Sequence, residues 1–159
     1  MSIIADWDLE ERVEDAIVAY LKNECTDVAM IIPSRTITTA SFPLIIVDAG
    51  DSDNHTDTAR FTGRRIMDVT IAMFTEALNL NGDDGSETVL QTAREHHRII
   101  KSSILQSLAG NTLHTDLNNL SPEGVAFSLC TMGLQAREAG DGKLMTVQTM
   151  TTIAQPKEL

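Results

Sequence analysis

The residues with most chemistry to offer are two adjacent histidines, His96 and His97, in the run Glu95-His96-His97-Arg98. On a helix successive side chains point about 100° apart, so this pair does not chelate one ion as an i, i+4 pair does. Positions 93 and 101 are Ala and Lys, so no carboxylate stands one turn from His97 to complete a ligand set. His97 falls on an apolar stripe and reads as a hydrogen-bonded interior or interface histidine, with His96 nearer solvent. A second candidate is the acidic segment 50–63, where Asp51, Asp53, His55 and Asp57 echo the start of a calcium loop. His55 stands at the fifth position, Thr56 replaces the required glycine, and Thr62 stands where a bidentate Glu belongs. The segment therefore reads as a solvated loop, and Asp83-Asp84-Gly85 as a turn of the same kind.

Nucleophilic chemistry finds no better footing. Cys25 and Cys130 lie far apart in sequence and form neither a disulfide framework nor a CxxC pair, which fits a reducing compartment. Cys130 reads as packing inside a strand, while Cys25 follows a helix and is expected at the surface. The chain contains no Gly-x-Ser-x-Gly elbow, dinucleotide fingerprint or Walker loop. Arg64-Arg65 reads as the flank of a strand rather than a phosphate clamp. No catalytic, cofactor-binding or metal-ligating residue is assigned, no cofactor is expected, and the chain does not read as an enzyme.

Elements that would position these residues follow from periodicity. Asp8 and Glu11 make a capping-box pattern before a helix that ends near Asn23 or Glu24. Leu9, Val13, Ala16, Ile17 and Tyr20 share its inner face, and Glu10, Glu11, Glu14 and Asp15 its outer one. Residues 28–32 form a short apolar strand closed by Pro33. Residues 44–47 (Leu-Ile-Ile-Val) read as a strand buried on both faces. After the loop, residues 64–77 alternate Met67, Val69, Ile71 and Met73 against Asp68, Thr70 and Ala72, a long strand. Asn79 to Gly85 breaks the chain, and Ser86 caps the longest helix, which runs to about Ala109 with Gly110 behind it. Its stripe is Val89, Ala93, His97, Ile100, Ile104 and Leu108, widened by Leu90 and Leu105. A short helical piece carries Leu113, Leu117 and Leu120. Two strands, 125–137 and 144–154, close the chain around a Gly-Asp-Gly hairpin turn. The first places Val125, Phe127 and Leu129 on one face, then shifts phase to Met132, Leu134 and Ala136, which calls for a β-bulge near Thr131 or Gly133. Both strands are expected to carry threonine-rich outer faces, and five of the methionines (67, 73, 132, 145, 150) to lie on strands, in a core or a protein contact. The result is an α+β fold with a mostly antiparallel sheet and helices packed on one face, one domain over residues 1–159.

Bulk properties narrow the function. With 23 acidic against 12 basic residues the formal charge is −11, which disfavours general nucleic-acid binding and docking to an anionic membrane. The first residues lack a basic segment followed by a long apolar run, so no signal peptide is expected. No apolar run approaches the ~18 residues of a membrane span. The 159 residues suffice for a core without metal or disulfide.

The layout resembles a known family. Glu11-Arg12-Val13 in a capped first helix, Pro43-Leu44-Ile45-Ile46-Val47, Gly63-Arg64-Arg65 opening a long strand, a long central helix and a closing Thr-rich hairpin are similar to the tail terminator (tail completion) proteins of long-tailed bacteriophages. The resemblance spans nearly the whole chain and rests on layout rather than on an invariant motif. It implies a structural virion protein in a hexameric ring that caps the tail tube, stops its growth and presents the tail to the head connector. It implies location at the neck of the virion, and in the host cytoplasm during assembly. DNA would pass through without specific binding, and Asp51, Asp53, Asp57, Asp83 and Asp84 are the candidates to line the channel or face a neighbouring ring. The alternatives are a head–tail joining adaptor of the neck or a small non-catalytic ligand-binding module.

Overall fold

The fold was analysed in a computed structural model that describes residues 9–26, 28–36, 41–54, 64–76, 87–110, 112–120, 122, 124–140 and 143–156. The elements in chain order are α1 (Leu9–Glu24), β1 (Met30–Pro33), β2 (Leu44–Asn54), β3 (Arg65–Glu76), α2 (Glu87–Leu108), α3 (Leu113–Asn119), β4 (Val125–Gly140) and β5 (Lys143–Pro156). Five strands form one sheet in the order β1-β2-β3-β5-β4. Only β1 and β2 run parallel; every other neighbouring pair is antiparallel. This is the α+β arrangement expected from hairpin-linked strands and amphipathic helices.

The core lies between one face of the sheet and the helices. Ile45, Val47 and Ala49 of β2 and Met67, Val69, Ile71 and Met73 of β3 are buried on that face. They meet Leu9, Val13, Ile17 and Leu21 of α1 and Ile100, Ile104 and Leu108 of α2 in one continuous cluster. Burying each such side chain stabilises by about 1.5–3 kcal/mol, which is why the apolar period alone locates these elements. Gly110 adopts φ 110° directly behind α2, the left-handed position anticipated for it. Asp8, Ser86 and the segment 79–85 lie outside the described residues.

Several sequence expectations need correction. First, β2 does not stop at Val47 but pairs with β3 as far as Asn54, through a register shift between Ala49 and Ser52. Two residues, Gly50 and Asp51, face Asp68 there, and the bulge absorbs the extra residue so that pairing resumes. Its apolar run is also not buried alike on both faces, since Ile46 is only half-buried and Asp48 and Gly50 are exposed.

Second, Glu14 does not decorate an outer face; it is 4 % exposed. Third, β5 does not keep its threonines to an outer face: Thr146 and Thr152 are buried with Gln148, Met150 and Ala154, while Met145, Val147, Thr149, Thr151 and Ile153 are half-buried on the face without helices. The polar residues go inside because each finds a partner there, Thr146 on His97 and Gln148 on carbonyls of β4. Fourth, Cys25 is buried, with its Sγ 3.4 Å from the Ser107 hydroxyl on α2.

Two buried polar knots tie the helices to the sheet. His97 sits between two strands: its Nδ1 is 2.8 Å from Thr75 Oγ1 on β3 and its Nε2 2.8 Å from Thr146 Oγ1 on β5. A neutral imidazole donates from one nitrogen and accepts at the other, so both threonine hydroxyls are satisfied without charge. Glu14 Oε2 accepts from the Ala49 backbone N–H at 2.7 Å, and Glu14 Oε1 accepts from Arg35 Nη1 at 2.7 Å. Pairing of β1 with β2 ends at Pro33 and Val47, with Ser34 N–H on the Val47 carbonyl. The next N–H of β2 on that side, Ala49, therefore has no strand partner, and Glu14 supplies the acceptor. Arg35 also pairs with Asp15.

Candidate assembly surface

β4 is an edge strand, and its two halves are treated differently. Near its start, Asn118 of α3 accepts from the Phe127 N–H at 2.9 Å and donates to the Phe127 carbonyl at 2.8 Å. The side-chain amide thus stands in for a neighbouring strand and closes the edge at that residue. Asn118→Ala is expected to cost about 1–2 kcal/mol, because both Phe127 groups lose their partner; urea titration of the variant against wild type reads this.

The other half lies open. From Thr131 to Arg137 every residue is exposed, and among the described residues no strand pairs with this edge. Two register shifts shape it, between Phe127 and Leu129 and between Met132 and Gln135. The second includes the anticipated Gly133. Gln148 Nε2 donates to the Gly133 carbonyl at 3.0 Å and Thr149 Oγ1 to the Leu134 carbonyl at 3.0 Å, so β5 side chains hold the bulged backbone. A Cβ on residue 133 would lie 2.6 Å from Thr149 Oγ1, which is why a glycine stands there. The first shift, at Ser128, was not anticipated. It turns Leu129 away from the core and Cys130 into it, so Leu129 does not share a buried face with Val125 and Phe127.

The consequence is an apolar, uncharged edge. Leu129 and Met132 are each 38 % exposed and Leu134 is 84 % exposed. The run Ser128-Leu-Cys-Thr-Met-Gly-Leu-Gln-Ala136 contains no Asp, Glu, Lys or Arg in a chain of which 22% is charged. Natural sheets usually protect such an edge with charge or proline, and only the bulges protect this one. The absence of charge was visible in the sequence; that the strand stands at an edge was not.

No protein-family model matches the chain, and no curated protein matches it.

The residues singled out for chemistry are scattered. Asp51 and Asp53 stand on the end of β2 that reaches past β1, with Asp53 opposite Ile66, rather than in a loop. Asp57, Asp83 and Asp84 lie outside the described residues. His96 is exposed and His97 buried on the same helix. Burial pushes the Cys130 thiol up to about 11, so it is held as the poorly nucleophilic thiol. Arg65 opens β3 and lies 3.8 Å from Glu10 of α1, a structural ion pair. Among the described residues no three His, Cys, Asp or Glu side chains are placed to hold a metal ion, and no helix is long and apolar enough to cross a membrane.

Proposed function

We propose that this protein is a structural subunit that works by assembly, as a tail-terminator-like ring that caps a tail tube and joins it to the head connector. The observation that carries the reading is the open half of β4. A strongly acidic chain keeps the stretch Ser128–Ala136 of this edge strand free of charge and exposes Leu129, Met132 and Leu134 along it. Exposed apolar edges invite strand addition, and a chain that did not use such an edge would gain from charging it. The acidic balance fits the same role, since a channel wall rich in carboxylates lets DNA slide without holding it. Asp51 and Asp53, on the end of β2 beyond β1, are the described candidates for that wall.

The test is the mass of the purified protein in solution, alone and with purified tail-tube protein of a long-tailed bacteriophage, with electron microscopy of the tube ends. A ring-sized species, or density that caps the tubes and stops their growth, is the expected result. A single chain that leaves the tube ends bare overturns the reading.

A further inference from the structure

We infer that the open half of β4 takes up an extended segment of another protein as a sixth strand, one that alternates carboxylates on the helix side with apolar side chains on the other. The inference rests on the reading of this edge as an assembly surface and names the chemistry of what it binds. The two faces of the open half differ. Leu129 stands opposite Ile153 and Ala136 opposite Val147, on the face without helices, with Leu134 in the bulge between them. Met132, Gln135 and Arg137 stand opposite Met150, Gln148 and Thr146, whose side chains are buried on the helix side. Thr146 is the residue that holds His97 of α2, so Arg137 is on the side of that helix.

Helix α2 adds three more cations. Arg94, Arg98 and Lys101 are spaced i, i+4, i+7 and share one flank of it. Ser107 is on the opposite flank, where its hydroxyl meets Cys25 at the end of α1. α1 lies over β2, where Glu14 holds the Ala49 N–H, and α2 lies over β3 and β5 through His97. The flank turned away from α1 therefore looks over β4, the strand beyond β5. Glu95 is about 160° round the helix from His97 and faces away from the sheet. Arg94, Arg98 and Arg137 are exposed and Lys101 half-buried, and among the described residues none of the four is in an ion pair.

Charge decides the occupant. A chain of formal charge −11 has 12 basic residues, and these four gather beside an edge strand that carries no charge from Ser128 to Ala136. An added strand with carboxylates on the helix side meets all four cations, and one with lysines there is repelled. Its alternate side chains cover Leu134 and Ala136 on the other face. The described edges of a second copy do not supply such a strand. The outward residues of β1 are Ile31, which is 4 % exposed, and Pro33, which has no N–H. A second β4 would bring its own Arg137 to the same cations. Asn118 marks where the added strand ends, since it already occupies Phe127.

Two short fluorescent peptides test this on the full chain, one alternating Val with Glu and one alternating Val with Lys. Binding is read by fluorescence anisotropy, and its place by amide exchange along β4. The expected result is that the Val-Glu peptide binds at least about ten-fold tighter than the Val-Lys peptide, by an advantage that shrinks as salt is raised. Exchange at residues 131–137 slows when it is bound. Arg98→Glu/Arg137→Glu changes two exposed side chains, its folding checked by circular dichroism and thermal melting, and is expected to reverse the preference. Peptides that bind alike, or not at all, overturn the inference. So does a Val-Glu peptide that binds without slowing exchange in β4. A free chain that is already a multimer by analytical ultracentrifugation, with 131–137 protected in it, overturns it in favour of a second copy at this edge. The ring reading is judged separately, since capped tube ends without peptide binding leave it standing.

Discussion

Replacing His97 with alanine is expected to lower the unfolding free energy by about 3–5 kcal/mol, a large share of the ~5–15 kcal/mol of an ordinary domain. The ring is 8 % exposed and joins α2 to both β3 and β5 through Thr75 and Thr146. Its removal leaves a void and two hydroxyls without partners, and an unsatisfied buried hydroxyl costs about as much as a core methylene or more. The pH dependence gives a second readout. Burial, then the neighbouring Lys101 and His96, lower the His97 pKa from its ordinary 6.5. The folded state therefore favours the neutral ring. Its contribution is fully present above the unfolded value near 6.5 and is lost as pH falls through the lower folded value. Wild type should lose stability relative to His97→Gln as pH drops through that window, measured by urea titration at several pH values. Parallel curves for the two proteins would show that the ring does not titrate with folding.

Glu14→Ala is expected to cost about 2–4 kcal/mol. The alanine leaves the Ala49 N–H at the β2 bulge without an acceptor and removes the partner of Arg35. Glu14→Gln should cost less, because an amide oxygen still accepts from Ala49 N–H while the ion pair is lost. Burial raises the Glu14 pKa above 4.5, against the hydrogen bonds from Ala49, Arg35 and Ser34, which favour the carboxylate. A raised folded value means that the folded state holds the proton more tightly. That increment of stability is fully present below pH 4.5 and is lost as pH rises through the folded value. The gap between wild type and Glu14→Gln should therefore change in this window, read by thermal melting. Amide exchange should also quicken at Ala49 in both variants, and more in the alanine, since that N–H is the group the carboxylate holds.

Both knots show where sequence patterning loses its grip. The period of α1 correctly placed Leu9, Val13, Ala16, Ile17 and Tyr20 inside, because burial of aliphatic area is additive and non-directional. The same logic put Glu14 outside, since a carboxylate is disfavoured in a core unless specific donors meet it. Those donors arrive from residues 34, 35 and 49, far along the chain, and only the folded arrangement brings them to one place. His97 was legible as an interior residue from its stripe, while its two threonine partners were not, because they sit on strands 22 and 49 residues away.

For this protein, then, the sequence by itself determined the class of fold, the order of its elements, the long alternating β3, the inner face of α2 at His97, Ile100, Ile104 and Leu108, and the strongly acidic balance. These follow from local period and composition, which need no knowledge of neighbours. Tertiary structure alone decided which face of β5 is buried, since apolar area by itself, Met145, Val147 and Ile153 on one side against Met150 and Ala154 on the other, favours the face that ends outside. The choice was made by His97 and by the β4 carbonyls that Thr146 and Gln148 reach. Tertiary structure also decided that β4 lies at an edge, that Asn118 closes one half of it, and that two bulges turn Leu129 and Leu134 outward. Strand order is set by contacts between residues distant in sequence, and a bulge reverses the facing of all that follows it, so neither can be read from alternation alone.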